Sequence, residues 1–460
     1  MNRREFLSVS GGALAAPTRR PNIILILADD LGYGDLSCYG GEVATPQIDR
    51  LAREGVRFTQ AYVASPICSP SRVAITTGQY PARHLIFSYL DSRARNRALG
   101  MRDYLDPNAP SMARAFQRAG YATAHFGKWH MGGGRDVGDA PLPREYGFDE
   151  SLTSFEGLGD RVLPPGRLSE MSAWLGRGNI SRAPQNELTR LYVDRSIDFM
   201  KRNADRPFFL NLWPNDVHDP FAPKPELMEK HRRHAANKYM QQFAATLDEM
   251  DRQIGRVIDA VDALGMADRT MIVFMGDNGP TAWPYYYKEG LEPPGSTGGL
   301  RGRKWSLYEG GVREPLIVRW KGSAPAGRVD RDTVACATDL FPTFCRVAGV
   351  DVTGIAFDGE DISRAFLGRP HRRRGDILWE YGRNAAYLRP GREEDRSPNL
   401  AIRSGSWKAL VNDDRSRLEL YNLECSAVER ENIALSRPDI ARRLSERVIE
   451  WRESLPTLQP

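Results

Sequence analysis

Cys68-Ser69-Pro70-Ser71-Arg72, running on through Val73-Ala74-Ile75-Thr76-Thr77-Gly78, sets one thiol at the start of a short helix with an arginine one turn later. Cys68 and Ser69 can cap such a helix, Pro70 is preset for its first turn and Gly78 can end it. Free backbone N–H groups at that end point at the nucleophile. A helix N-terminus favours negative charge, so it stabilises both an ionised nucleophile and a bound anion. Arg72 adds a permanent cation with forked donors. Standing alone, a Cys-x-Pro-x-Arg string is more often a buried structural cysteine with a surface arginine.

Two acidic pairs alter that weighting. Asp29-Asp30 follow the apolar run Ile23–Leu27, and Asp277-Asn278 follow Met271–Met275 and Gly276. In open α/β sheets, ligands collect beyond the carboxyl ends of strands, so the two pairs are expected to converge. Three carboxylates and an amide oxygen make a hard, all-oxygen site that suits calcium or magnesium rather than zinc. One Asp-Asp pair after a strand is usually a helix cap or a solvated turn. Two such pairs beside the cysteine motif point to a metal.

The stretch from Cys68 to Gly78 resembles the active-site motif of the sulfatase family, the formylglycine-dependent, arylsulfatase-like branch of the alkaline phosphatase superfamily. The resemblance implies that a formylglycine-generating enzyme oxidises Cys68 to an aldehyde, whose hydrated diol attacks sulfur and whose second hydroxyl later expels sulfate. It also implies that Asp29, Asp30, Asp277 and Asn278 bind one Ca²⁺ (Mg²⁺ is the alternative), with an oxygen of modified Cys68 completing the shell. Gly127-Lys128-Trp129-His130 and Gly302-Arg303-Lys304 resemble further family motifs. Carried over by position, Lys128 and Lys304 contact the sulfate, and His130 accepts or supports the proton when the diol collapses. Asn215-Asp216-Val217-His218-Asp219-Pro220 resembles, more loosely, the segment whose histidine lies next to the ester oxygen. An alkoxide leaves poorly, so a protonated His218 would act as its general acid. His84 is left outside this set. The likeness continues through Asp339–Thr343, Asp358–Glu360, Ile402–Lys408 and Leu420–Leu423, and implies an alkaline phosphatase-like fold.

Two rival readings share these residues: a phosphodiester or phosphonate monoester hydrolase with a similarly modified cysteine, and an unmodified, non-catalytic binder of sulfated glycans. The complete set, with Lys128, His130 and Lys304 in matching motifs, favours hydrolysis of a sulfate ester. A sulfated saccharide is the expected substrate. Arg/Gly/Pro-rich stretches around 133–187 and 279–301 lack clear periodicity and read as substrate-facing loops that can frame a polar cleft, and Trp283, Tyr285, Tyr286 and Tyr287 can stack on a sugar face or simply pack.

The elements that must position these residues alternate along the chain. Ile23–Leu27, Phe208–Leu212, Met271–Met275 and Leu316–Val318 read as buried strands, with helical patterns at Ser111–Arg118 and Gln241–Leu264 between them. This predicts an α/β catalytic domain over 20–368, with a large mixed, mostly parallel sheet flanked by helices. After Gly368, short strands at Ile377–Tyr381, Leu400–Arg403, Trp407–Val411 and Leu418–Tyr421 and a helix from Pro438 predict a smaller antiparallel α+β domain over 369–460. A chain of 460 residues is long enough for both.

Composition excludes some classes. The net charge of +5 is modest, and the basic clusters Arg232-Arg233 and Arg372-Arg373-Arg374 are short and lack interleaved aromatics, so no nucleic-acid partner is expected. No run of eighteen apolar residues predicts an integral membrane span. Residues 1–16, with Arg3-Arg4 ahead of a weakly apolar run to Ala13-Leu14-Ala15, resemble a twin-arginine export signal, which implies a periplasmic or extracellular enzyme, the alternative for so short an apolar run being a disordered cytoplasmic tail. Besides Cys68 there are Cys38, Cys336, Cys345 and Cys425, which could pair in three ways. No Cys-x-x-Cys suggests zinc.

Overall fold

The computed structural model describes residues 20–166, 168–383 and 390–458. The segment 1–16 read as an export signal lies outside them. The main sheet is built from β1 (Asn22–Ala28), β2 (Val56–Tyr62), β3 (Ala122–Gly127), β4 (Glu150–Thr153), β5 (Arg161–Leu163), β6 (Ile180–Arg182), β7 (Phe208–Trp213), β8 (Thr270–Gly276), β9 (Arg313–Arg319), β10 (Arg328–Asp330) and β11 (Ala335–Cys336). Its order is β10-β2-β9-β8-β1-β7-β3-β4-β5-β6, with β11 also on β2. Every neighbouring pair is parallel except the two made by β9, which runs antiparallel to β2 and β8. The predicted mixed, mostly parallel sheet is therefore the observed one.

Burial on both faces explains the continuous apolar runs. In β1, Ile23, Leu25 and Leu27 enter one core while Ile24, Ile26 and Ala28 enter the other. Beside it, β8 divides the same way, with Met271, Val273 and Met275 opposite Ile272 and Phe274. The second core is closed by the helix Lys238–Ala263, whose Phe243, Leu247, Met250, Ile254, Val257 and Val261 are all buried in it. That helix begins where the Asn237 side chain accepts the amides of Tyr239 and Met240.

Past Gly368 the strands β12 (Ile377–Glu380), β13 (Leu400–Ser404), β14 (Trp407–Val411) and β15 (Glu419–Asn422) form an antiparallel sheet in sequence order. One face packs on the helix Pro438–Glu453 through Ile402, Ala409 and Leu420 against Leu444 and Val448. The other face contributes Trp379, Ala401, Leu410 and Tyr421 to the core that also holds Cys68. Trp379 donates its indole N–H to the Val63 carbonyl at 2.7 Å.

Some expectations are corrected. The 133–187 stretch is not loop throughout, because β4, β5 and β6 extend the sheet there, and a short helix, Pro284–Lys288, interrupts 279–301. All five cysteines are free thiols, so none of the three pairings is present. No helix among the described residues is long and apolar enough to cross a membrane.

Candidate active site

Strand direction gathers the chemistry at one edge. β1, β2, β3, β7 and β8 all point the same way, so the residues just after them, namely Asp29, Cys68, Lys128, His218 and Asp277, emerge together. β9 runs the opposite way, so the segment before it carries Lys304 to that same edge. This is where ligand sites form in open α/β sheets.

Cys68 is the first residue of the helix Cys68–Thr77 and every residue of that helix is buried. The cap differs from the expected one. Ile67 is the N-cap, extended at φ −154° and without a side-chain cap bond, so Cys68 and Ser69 lie inside the helix. Ser69 Oγ instead accepts the Leu90 amide at 3.1 Å. Gly78 ends the helix as predicted, left-handed at φ 67° with its amide on the Ala74 carbonyl.

One ligand atom from each of Asp29, Asp30, Cys68 and His218 lies within 4.8 Å of the others. Lys128 Nζ donates to both oxygens of Asp29 (2.9 and 2.7 Å), and Lys304 Nζ donates to both oxygens of Asp30 (2.6 Å each). Asp277 joins the group from behind, its Oδ1 accepting the Asp30 amide at 3.1 Å. Arg72 gives Nε and Nη2 to Asp277 Oδ2 at 3.0 and 2.7 Å and Nη1 to the Lys128 carbonyl at 2.9 Å. Its donors are thus committed to holding the acids, and it does not reach the cleft.

Asn278 supplies a test of the metal expectation. Its Nδ2 donates to Asp30 Oδ1 at 2.8 Å and to the Gly279 carbonyl at 2.9 Å, while its buried Oδ1 has no hydrogen-bond partner among the described residues. An orphaned amide oxygen beside three buried carboxylates is a donor set that fits a hard divalent cation.

Electrostatics separate the two histidines. Burial, Lys128 and Arg72 push His130 well below its ordinary value, and both its ring nitrogens lack hydrogen-bond partners among the described residues, so it is neutral. Burial pulls His218 down too, but Asp30 and Asp29 outweigh it and hold it up at about 9. His218 Nε2 lies 3.5 Å from Asp30 Oδ2 and 3.2 Å from Lys304 Nζ. The two aspartates favour the cationic ring, and a metal ion that shared their charge would weaken that hold. Burial raises Asp29 as well, yet Lys128, His218 and Arg72 together keep it far below the usual carboxylate range.

A cleft of about 350 Å³ opens over this cluster, lined by Asp29, Cys68, Lys128, His130, His218 and Lys304. Asp30, Arg72, Asp277 and Asn278 stand behind that wall, and His84 does not line it. Of the four aromatics singled out, only Trp283 faces the cleft. Tyr285 and Tyr286 turn their hydroxyls to Asp219 at 3.0 and 2.6 Å. Asp91, Arg95, Arg135, Phe155 and Trp305 also line the cleft; Arg135 and Phe155 fall within the 133–187 stretch expected to frame it, whereas Asp91, Arg95 and Trp305 were not foreseen.

A family profile described as Sulfatase matches residues 21–350. Steryl-sulfatase of Mus musculus is 32% identical, over 82% of this chain and 70% of its own. N-acetylgalactosamine-6-O-sulfatase of Bacteroides thetaiotaomicron is 28% identical, over 93% of this chain and 92% of its own. Among solved structures, Ps i-CgsB in complex with k-i-k-neocarrahexaose superposes with a TM-score of 0.78 at 28% identity, covering 94% of this chain and 93% of that one. That solved structure shares the alkaline phosphatase-like architecture, a large mostly parallel sheet with a small antiparallel one. With the motif-bearing residues converging on one cleft and the profile spanning the main sheet, the chain belongs to the sulfatase family and is a sulfuric ester hydrolase.

Proposed function

We propose that this sulfatase removes sulfate from a sulfated saccharide, using Cys68 oxidised to formylglycine and one divalent cation, calcium in preference to magnesium. The observation that carries the reading is the placement of Cys68 at a buried helix start, between Lys128 and Lys304 and against Asp29 and Asp30. The modified residue would supply a hydrated aldehyde as nucleophile, and the cation, held by Asp29, Asp30, Asp277, Asn278 and residue 68, would supply Lewis acidity.

The remaining work falls to side chains. Lys128 and Lys304, each already paired with an aspartate, bind the outer sulfuryl oxygens, where negative charge spreads as the S–O bond breaks. His218 donates the proton on Nε2 to the leaving oxygen, a role suited to a ring on the cleft wall within 3.5 Å of Asp30 Oδ2. His130, neutral and with two unsatisfied nitrogens, accepts the proton released at residue 68. Arg72 serves by fixing Asp277 and the Lys128 backbone. Trp283 and Phe155 provide flat apolar walls of the kind on which sugar rings stack. The saccharide preference is supported by the N-acetylgalactosamine-6-O-sulfatase relative and the carrahexaose-bound neighbour. The twin-arginine-like segment 1–16 supports an exported enzyme.

Peptide mass analysis around Cys68 tests the nucleophile: active protein is expected to lack the thiol, and full activity with an intact thiol overturns it. Parallel assays on a nitrophenyl sulfate, an aryl phosphodiester and sulfated sugars test the reaction. Higher kcat/KM on the phosphodiester than on any sulfate would move the enzyme to the phosphorus branch of the superfamily.

A further inference from the structure

Two arginines on one wall of the cleft are not used by the sulfate that the lysines hold. Arg135 lines the cleft with 15% of its side chain exposed, gives Nε to Glu156 Oε1 at 2.9 Å and Nη1 to Asp91 Oδ1, and donates from Nη2 to no described residue. Arg95 stands beside it. Its Nη1 lies 3.1 Å from Asp91 Oδ2, 61% of its side chain is exposed, and its guanidinium makes no hydrogen bond among the described residues. Asp91 itself is fully engaged, because only 4% of its side chain is exposed and, besides the two arginines, the Ser92 amide donates to Oδ1 at 2.7 Å.

Charge on this wall does not cancel. Two guanidiniums face the Asp91 carboxylate and Glu156, which burial, against the pull of Arg135, raises to about 7, so that at neutral pH it offsets only part of the second cation. The other carboxylates of the lining are already committed, Asp29 to Lys128 and Asp219 to Trp283, Tyr285 and Tyr286. A net positive charge is therefore left over, on forked donors whose geometry matches a carboxylate or a sulfate. It adjoins the reacting centre. Tyr89, on the same wall, lies in the field of Arg95, Arg135 and Lys304 together, and Arg135 also helps to lower His130. Leu90, next to Asp91, donates its amide to Ser69, next to Cys68, and Phe155, next to Glu156, accepts the His130 amide at 2.9 Å. The arginines thus stand in fixed register with residue 68.

We infer that Arg95 and Arg135 form an anion subsite on the cleft wall, which takes a second anionic group of the same saccharide, a sulfate or a uronate carboxylate, while the first sulfate is removed. This deepens, and rests on, the saccharide reading above. It makes a doubly charged sugar the preferred substrate.

The test compares kcat/KM on nitrophenyl sulfate and on matched saccharides that share one scissile sulfate and differ in a second group, which is absent, a sulfate or a uronate carboxylate, each at more than one position. Wild-type enzyme is expected to favour at least one doubly charged sugar by about 10-fold over its singly charged match, mostly in KM, and added salt should erode that preference. Arg95→Ala is expected to lose about 5-fold on that substrate while nitrophenyl sulfate and the singly charged sugar change by less than about 2-fold, with Arg95→Lys recovering part of the loss. Arg135→Gln should remove the preference, and should it fail to fold, the Arg95 variants and the wild-type ranking still decide. A gain on the sulfate or on the uronate member identifies the group that binds, and either sustains the inference. Singly charged sugars cleaved as well as every doubly charged match, or the same effect of Arg95→Ala on all substrates, overturn it. Failure of the saccharide reading looks different, since nitrophenyl sulfate is then cleaved and no sugar is, and failure of the sulfatase reading leaves no sulfate ester cleaved at all.

Discussion

Arg72 grips Asp277 through one oxygen, with Nε at 3.0 Å and Nη2 at 2.7 Å, both on Oδ2. Both side chains are fully buried, so the pair fixes a carboxylate where solvent cannot. Arg72→Ala leaves a buried charge uncompensated and is expected to cost about 3–5 kcal/mol. It should also weaken cation binding. Urea denaturation and calcium titration of the variant check both effects, and an unchanged calcium affinity would break the link between the pair and the metal.

Chelation should abolish most activity, and added calcium should restore it better than magnesium. Because the cation binds only the folded chain, saturating it at about 100 times Kd should add roughly 2.7 kcal/mol of stability. Asp277→Ala should lose that increment along with the rate. Full turnover by verified metal-free enzyme would remove the cation from the reaction.

His218→Ala should discriminate between leaving groups. An alkyl or sugar alkoxide needs a proton and nitrophenolate hardly does, so the variant is expected to lose about 100-fold on the former and on the order of 10-fold less on the latter. Equal losses would exclude His218 as the acid.

Cys68→Ala should reduce turnover by on the order of 10⁴-fold or more while leaving the fold in place, since only one sulfur is removed from the core. Circular dichroism and a thermal melt accompany the assay. A variant that stays active would show that residue 68 is not the nucleophile.

Glu314, in β9, makes stability pH-dependent. Burial and the nearby Asp277 and Asp35 hold its carboxyl well above 4.5, and neither oxygen has a hydrogen-bond partner among the described residues. The folded state keeps this proton where the unfolded state has released it, so stability is full below about pH 4.5 and falls as pH rises toward the folded value, by up to about 1.4 kcal/mol per unit. In chelated protein, Glu314→Gln should flatten that slope between pH 5 and 8. A slope identical to wild type in urea denaturation would assign the effect to another group.

Much of the site was legible because β1 and β8 are buried on both faces, so their apolar runs end abruptly where Asp29 and Asp277 emerge. β3 is likewise buried along its whole length and ends at Gly127, directly before Lys128. Lys304 is different: it precedes an antiparallel strand, and only the direction of β9 explains why it reaches the same edge. Three-residue strands such as β5 and β6 carry too few positions for a period to show. Arg135 and Asp91 lie 44 residues apart and neither has a helical or strand pattern around it, so their ion pair is a product of tertiary structure alone. Capping by Ile67 was missed because Ser69, the better capping residue by type, is occupied by Leu90.

The bond from Trp379 to Val63 gives the chain a timetable. Val63 lies just upstream of Cys68, while the indole that fastens it belongs to a strand synthesised some three hundred residues later. Cys68 is 2% exposed once everything is docked. A polypeptide emerges N-terminus first, so the carbonyl of Val63, five residues ahead of the thiol, waits for its indole until the C-terminal sheet has been made. On the reading proposed above, the formylglycine-generating enzyme meets a segment around Cys68 that is not yet fastened for as long as that sheet is still to come.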